Sequence, residues 1–120
     1  MFIYSQESGS LWDENGDIVS NGYSGYGRGK NSPDHDHIKS IGPIPRGKWV
    51  MTGVYDSQKI GPLAIKLEPS GHDAHGRTYF RIHGDSSKHP GEASKGCIVL
   101  PRVIRQFIIN GGDLVLLVIE

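Results

Sequence analysis

The chain has a single cysteine, no net charge and no long apolar run, and each shortage removes a class of protein. With only Cys97 available, no intramolecular disulfide can form, and a secreted disulfide scaffold is excluded. Thirteen Lys plus Arg balance thirteen Asp plus Glu. That balance argues against a surface built to neutralise many phosphates, so nucleic acid is not an expected partner. No stretch reaches membrane-spanning length. The opening Met1-Phe2-Ile3-Tyr4-Ser5-Gln6-Glu7 turns polar after four residues, with no basic residue ahead of its apolar start, and is not read as a secretory signal. The expectation is a protein made in the cytoplasm that reaches any target outside it by another export route. Helix formers are scarce too: 17 Gly and 7 Pro among 120 residues favour a mainly β chain rich in turns, and that length suits one domain over residues 1–120.

What is present begins with a β-hairpin. Ser10-Leu11-Trp12-Asp13 and Asp17-Ile18-Val19-Ser20 flank Glu14-Asn15-Gly16, and Asn-Gly favours the positive φ of a tight turn. A short strand at Phe2 to Ser5 is expected before it. Gly22 to Pro45 is a run of Gly, Pro and polar residues without a sustained period and reads as a long surface loop. Strands are expected at Lys48–Tyr55, Leu63–Glu68 and Arg77–Ile82, from their β-branched and aromatic content and partial alternation. A further strand follows from Cys97 to Leu100. Pro101 opens a helix to about Ile109, with Asn110-Gly111 as its stop. Leu114 to Ile119 reads as a strand buried on both faces.

The chemistry concentrates in His83-Gly84-Asp85 and Ser94-Lys95-Gly96-Cys97-Ile98. A cysteine nucleophile needs a base, oxyanion donors, and slender backbone where a substrate carbonyl approaches. His83 ends one expected strand and Cys97 starts another, so adjacent strands can unite them as base and nucleophile. Gly96 lets the turn before Cys97 point its N–H groups at a developing oxyanion, Gly84 and Ser94 are candidates for the same oxyanion or for supporting hydrogen bonds, and Lys95 favours the thiolate if it lies close. Two other clusters, Asp34-His35-Asp36-His37 and His72-Asp73-Ala74-His75, contain zinc-site ingredients. Their spacings complete no zinc-peptidase signature, and no Glu stands beside them as general base. No metal and no cofactor are expected, and His72 and His75 are read as loop residues that can line a cleft.

The pattern His83-Gly84 followed by Ser94-x-Gly96-Cys97-Ile98 resembles the active-site signature of L,D-transpeptidases with a YkuD-type catalytic domain. Ile41-Gly42-Pro43-Ile44-Pro45-Arg46-Gly47-Lys48-Trp49 is similar to the segment that precedes a core strand in that family. The helix after the cysteine, followed by Gly-Gly-Asp and an apolar strand, matches as well. The Tyr-Ser-Gln-x-x-Gly-x-Leu opening and Ser-Lys-Gly-Cys-Ile-Val-Leu are most similar to type VI secretion L,D-transpeptidase effectors and their phage-borne relatives. Two positions depart from the family pattern: Lys95 replaces a His, and Ile98-Val99 stand where an Arg is usual.

The resemblance implies a mainly β, YkuD-like sandwich or open barrel of seven or eight strands with one short helix after the catalytic cysteine. It implies acyl transfer on peptidoglycan stem tetrapeptides at the bond between diaminopimelate and D-alanine, with Cys97 as nucleophile and His83 as base. An effector of this kind would be injected as an antibacterial toxin, act in the periplasm of the target cell, and have a cognate immunity protein. Candidates for binding substrate are Arg102, Arg105 or Arg81 for a carboxylate, with Lys95, His75, Tyr23, Tyr26 and Trp49 around a cleft between the Gly22–Pro45 loop and the His83–Cys97 loop. A phage cell-wall lytic enzyme, and a non-enzymatic β-domain of a phage or secretion apparatus, remain open as alternatives.

Overall fold

In the computed structural model, all 120 residues are described. Nine strands join in one mixed open sheet, β1 (Phe2–Ser5), β2 (Ser10–Trp12), β3 (Ile18–Asn21), β4 (Tyr23–Ser24), β5 (Gly47–Ser57), β6 (Gly61–Ser70), β7 (Phe80–His83), β8 (Ile98–Val99) and β9 (Val115–Ile119). One helix, α1 (Arg102–Gly111), follows the cysteine. The strands lie in the order β3-β2-β1-β9-β5-β6-β7-β8-β4. The mainly β architecture with one short helix is the one composition implied, with nine strands where seven or eight were expected. No helix is long and apolar enough to cross a membrane.

Two parallel pairings shape the sheet. β1 pairs with β9, bringing the two ends of the chain together, and β7 pairs with β8, matching Ile82 to Ile98 and His83 to Val99. The long antiparallel hairpin of β5 and β6 joins these halves, with β9 on the other side of β5. Alternation along each strand sends one set of side chains inward. Tyr4, Leu11, Trp49, Leu67, Phe80, Ile82, Ile98 and Leu116 meet there in a continuous core that α1 closes with Ile108. Trp49 is wholly buried, donates from Nε1 to the Pro45 carbonyl at 3.0 Å, and meets Phe80 edge-on with ring centroids 4.8 Å apart.

Several local expectations need correction. β9 buries one face only, with Leu116 and Val118 inward and Val115 and Leu117 half-buried. Its continuous apolar run reflects a central strand hydrogen-bonded to β1 and β5 on its two edges. α1 runs to Gly111 and stops at Gly112, which takes a left-handed φ of 72°. The Gly22–Pro45 segment is not a surface loop: it contains β4 and two short 3-10 turns, Gly27–Gly29 and Pro33–His35, and it buries Ser24, Asp36 and Ile44. β7 begins at Phe80 instead of Arg77, because Tyr79 adopts a positive φ of 67° that no regular strand accepts.

Trp49→Ala removes the largest core side chain, and an equilibrium denaturation curve is expected to show a loss of about 3–5 kcal/mol. A loss below about 1 kcal/mol would contradict the placement of Trp49 at the centre of the core.

Candidate active site

The pairing of Ile82 with Ile98 fixes the site. Both isoleucines are wholly buried in the core, so their neighbours His83, which follows Ile82, and Cys97, which precedes Ile98, turn to the opposite side of the sheet. Both border one cavity of about 770 Å³. Its walls are the loop from Gly84 to Lys95, the turn between β5 and β6 at Gln58–Gly61, and the segment Arg77–Tyr79. From the Gly22–Pro45 segment only Lys39 and Ser40 reach it. The cleft therefore lies against the β5–β6 turn, and the expected wall between the two long loops is corrected.

The backbone before Cys97 is held by three buried polar side chains. Ser94 Oγ donates to the Cys97 carbonyl at 2.5 Å and accepts from the N–H groups of Gly25 at 2.9 Å and Gly96 at 3.1 Å. Ser24 Oγ donates to the Gly96 carbonyl at 3.0 Å and accepts from the Ile44 N–H at 2.8 Å. The Arg77 guanidinium donates to the carbonyls of Asp36, Pro43, Gly42 and Lys95, at 2.7, 2.9, 3.0 and 3.2 Å. Gly96 has φ of 140°, and a Cβ there would lie 2.5 Å from Arg77 Nη2. Only glycine fits at that position.

The Cys97 thiol donates to the Tyr79 carbonyl at 3.6 Å. Burial pushes its pKa up to about 11, against the opposing pull of the Arg81 backbone N–H and the charges of Arg81, Arg77 and Lys59. At rest the group is a thiol. His83 is also buried, and burial lowers its pKa, with the Arg105 charge acting the same way and the Gly84 carbonyl and Asp85 opposing. His83 Nδ1 lies 2.8 Å from the Gly84 carbonyl. A carbonyl only accepts, so Nδ1 carries the proton and Nε2 keeps a lone pair for a substrate or nucleophile proton. Gly84 thus orients the ring, and a Cβ there would sit 2.7 Å from Arg105 Nη2.

The remaining sequence candidates separate cleanly. Lys95 borders the cavity; Ser94 and Gly96 lie beneath it in the backbone support. Arg105 is 5% exposed and donates to the carbonyls of Leu100, Pro62 and Leu63, tying α1 to β6. Arg102 stands exposed on the helix surface. Arg81 donates to the Tyr55 hydroxyl at 2.9 Å and lies over the Tyr79 ring. Tyr23 donates to Asp85 at 2.6 Å and accepts from the Ala93 N–H, so it braces the 84–96 loop from behind. Tyr26 is exposed away from the cavity, and Trp49 is core. His75 lies 3.5 Å from Asp36, while His72 lies 2.9 Å from the Lys48 carbonyl; neither borders the cavity. Sequence reasoning did not single out Arg77 or Tyr79. The alternation Arg77-Thr78-Tyr79-Phe80-Arg81-Ile82 hid both inside an apparent strand.

The fold and site define a mainly β domain that places a lone cysteine and a neutral histidine on one cavity. The Tlde1 domain matches residues 19–112. The chain belongs to that family, which is a family of type VI secretion effectors. It is also similar to the solved structure of Bd1075 from Bdellovibrio bacteriovorus, with a TM-score of 0.64 and 17% identity, over 99% of this chain and 47% of that one. That likeness shows the fold alone, and the chain spans about half the length of that structure. No curated protein sequence matches the chain.

Alkylation of Cys97 by iodoacetamide reads its protonation state directly, since only the thiolate reacts. The rate is expected to be slow at neutral pH and to keep climbing with pH toward the thiol's value of about 11. A fast rate that stays level through neutral pH would reveal a thiolate–imidazolium pair and contradict this assignment.

Proposed function

We propose that the domain is a cysteine acyltransferase of peptidoglycan stem tetrapeptides, cutting between diaminopimelate and D-alanine, and that it acts as an antibacterial toxin injected by type VI secretion. One observation carries this reading: in a chain of the Tlde1-domain family, the cysteine and histidine of an L,D-transpeptidase-like signature border the same cavity. The wider YkuD-type relationship rests on that signature. The partners of this reading are the stem peptide, the secretion machinery and a cognate immunity protein, and its site of action is the periplasm of the target cell.

The resting protonation states define the chemistry. His83 Nε2 accepts the Cys97 proton as Sγ attacks the diaminopimelate carbonyl, so thiolate forms only as the new bond does. The tetrahedral intermediate collapses to a thioester when His83 returns that proton to the departing D-alanine amine. Water, a D-amino acid or the side-chain amine of a second stem then attacks the thioester as His83 takes its proton, and the C–S bond breaks as His83 returns that proton to the Cys97 sulfur. These acceptors give carboxypeptidase action, amino-acid exchange or a new crosslink respectively. The Ser94, Ser24 and Arg77 hydrogen bonds hold the Cys97 backbone still while charge develops on the substrate oxygen.

Wild-type protein and Cys97→Ala are incubated with disaccharide-tetrapeptide muropeptides, with and without added D-amino acid, and the products followed by mass spectrometry. Wild type alone is expected to release D-alanine or replace it. Unchanged muropeptide with folded wild-type protein would overturn the proposed activity.

A further inference from the structure

The protein carries no net charge, yet the charges around the cavity are not evenly mixed. Lys39, Lys59, Lys88 and Lys95 border it from three separate segments of chain, and all four are exposed. None of them makes an ion pair or a side-chain hydrogen bond within the protein. Two carboxylates, Asp85 and Glu92, stand on the same walls, so the four lysines leave an excess of positive charge there. Asp85 is occupied by the Tyr23 hydroxyl and the N–H groups of Ser86 and Gly91, and Glu92 faces His89 at 3.8 Å. Low-dielectric walls with an excess of one sign of charge focus the field on whatever enters. The positions where the family usually has a cation offer none here, since Ile98 and Val99 are buried in the sheet at 0% and 4% exposure.

We infer that these lysines are the carboxylate receptor of the site, and that Lys59 on the β5–β6 turn takes the substrate carboxylate nearest the bond that breaks. The inference rests on the proposed activity, and it makes the site selective for a peptide with a free terminal carboxylate. Lys59 sits on a turn whose backbone is held. Ser57 Oγ accepts from the N–H groups of Lys59 and Ile60, both at 3.1 Å, which pins the turn. The Lys59 charge also acts to lower the Cys97 pKa, after those of Arg81 and Arg77. Lys59 and Cys97 border the same cavity, as recognition of a terminal carboxylate one residue beyond the attacked carbonyl requires. The other three lysines sit on flexible stems that follow a multiply charged peptide without fixed geometry. Arg81 and Arg105 do not compete for this role, because Tyr55 and the carbonyls described above already hold their guanidinium groups.

Binding is measured by calorimetry on Cys97→Ala protein, using a tetrapeptide stem and the same peptide with its terminal carboxylate converted to a carboxamide. The acid is expected to bind more tightly, and adding Lys59→Gln is expected to weaken the acid about fivefold while leaving the carboxamide unchanged, the size given by a solvent-exposed charge pair. High salt shrinks the difference. Arg28→Gln removes an equal charge from a turn outside the cavity and leaves both affinities alone. Equal weakening of acid and carboxamide, no more effect than Arg28→Gln, or no binding of either peptide would overturn the inference. Turnover by the wild type, measured separately on muropeptides, decides the activity itself, so active enzyme with an indifferent Lys59→Gln sinks only the lysine assignment.

Discussion

Arg77 donates its guanidinium hydrogens to carbonyls of Asp36, Gly42 and Pro43 on one side and of Lys95 on the other. Those carbonyls belong to segments that have no strand pairing of their own, and a buried carbonyl without a donor is costly. One fixed fork satisfies them all, which a flexible ammonium cannot do. Burial lowers the Arg77 pKa, and the charge of Asp36 pulls it back up. Asp36 is held in turn by Gln6 Nε2 at 3.0 Å and Arg46 Nε at 3.1 Å. The loop before the cysteine, the Gly22–Pro45 segment and the first strand are thereby one connected support. Cys97 is positioned by this support as much as by β8.

Under the proposed activity, that rigidity suits a nucleophile kept in its neutral form. A buried thiol and a buried imidazole each disfavour charge, and the structure places both on a cavity whose cations stand at the mouth. In the proposed reaction, attack separates charge where backbone dipoles are already fixed, and fixed dipoles need no reorganisation at that moment.

Much of the scaffold was legible in the residues. Alternation located the β5–β6 hairpin and the strand ending at His83, and Pro101 with the glycines after Asn110 bracketed the helix, because each of these signals is local. The motif and the two strand ends put Cys97 and His83 forward as a pair, and the fold sets both on one cavity. Arg77 was not legible, because its inward turn depends on the positive φ of Tyr79 and of His75, which neither residue type announces. The packed interior of the Gly22–Pro45 segment was hidden for a similar reason: Ser24 and Asp36 are polar residues buried by partners far away in sequence. The lysines around the cavity lie at positions 39, 59, 88 and 95, and only the fold brings such scattered charges to one opening.

The central claim is that Cys97 carries the acyl group between donor and acceptor. Intact-protein mass spectrometry on wild type quenched in acid during reaction with a tetrapeptide muropeptide tests it most directly, with peptide mapping to place the adduct. The account predicts a transient gain equal to the substrate less D-alanine, located on Cys97 and absent from Cys97→Ala. Release of D-alanine by wild type with no adduct on Cys97 at any time, or equal release by Cys97→Ala, would contradict it.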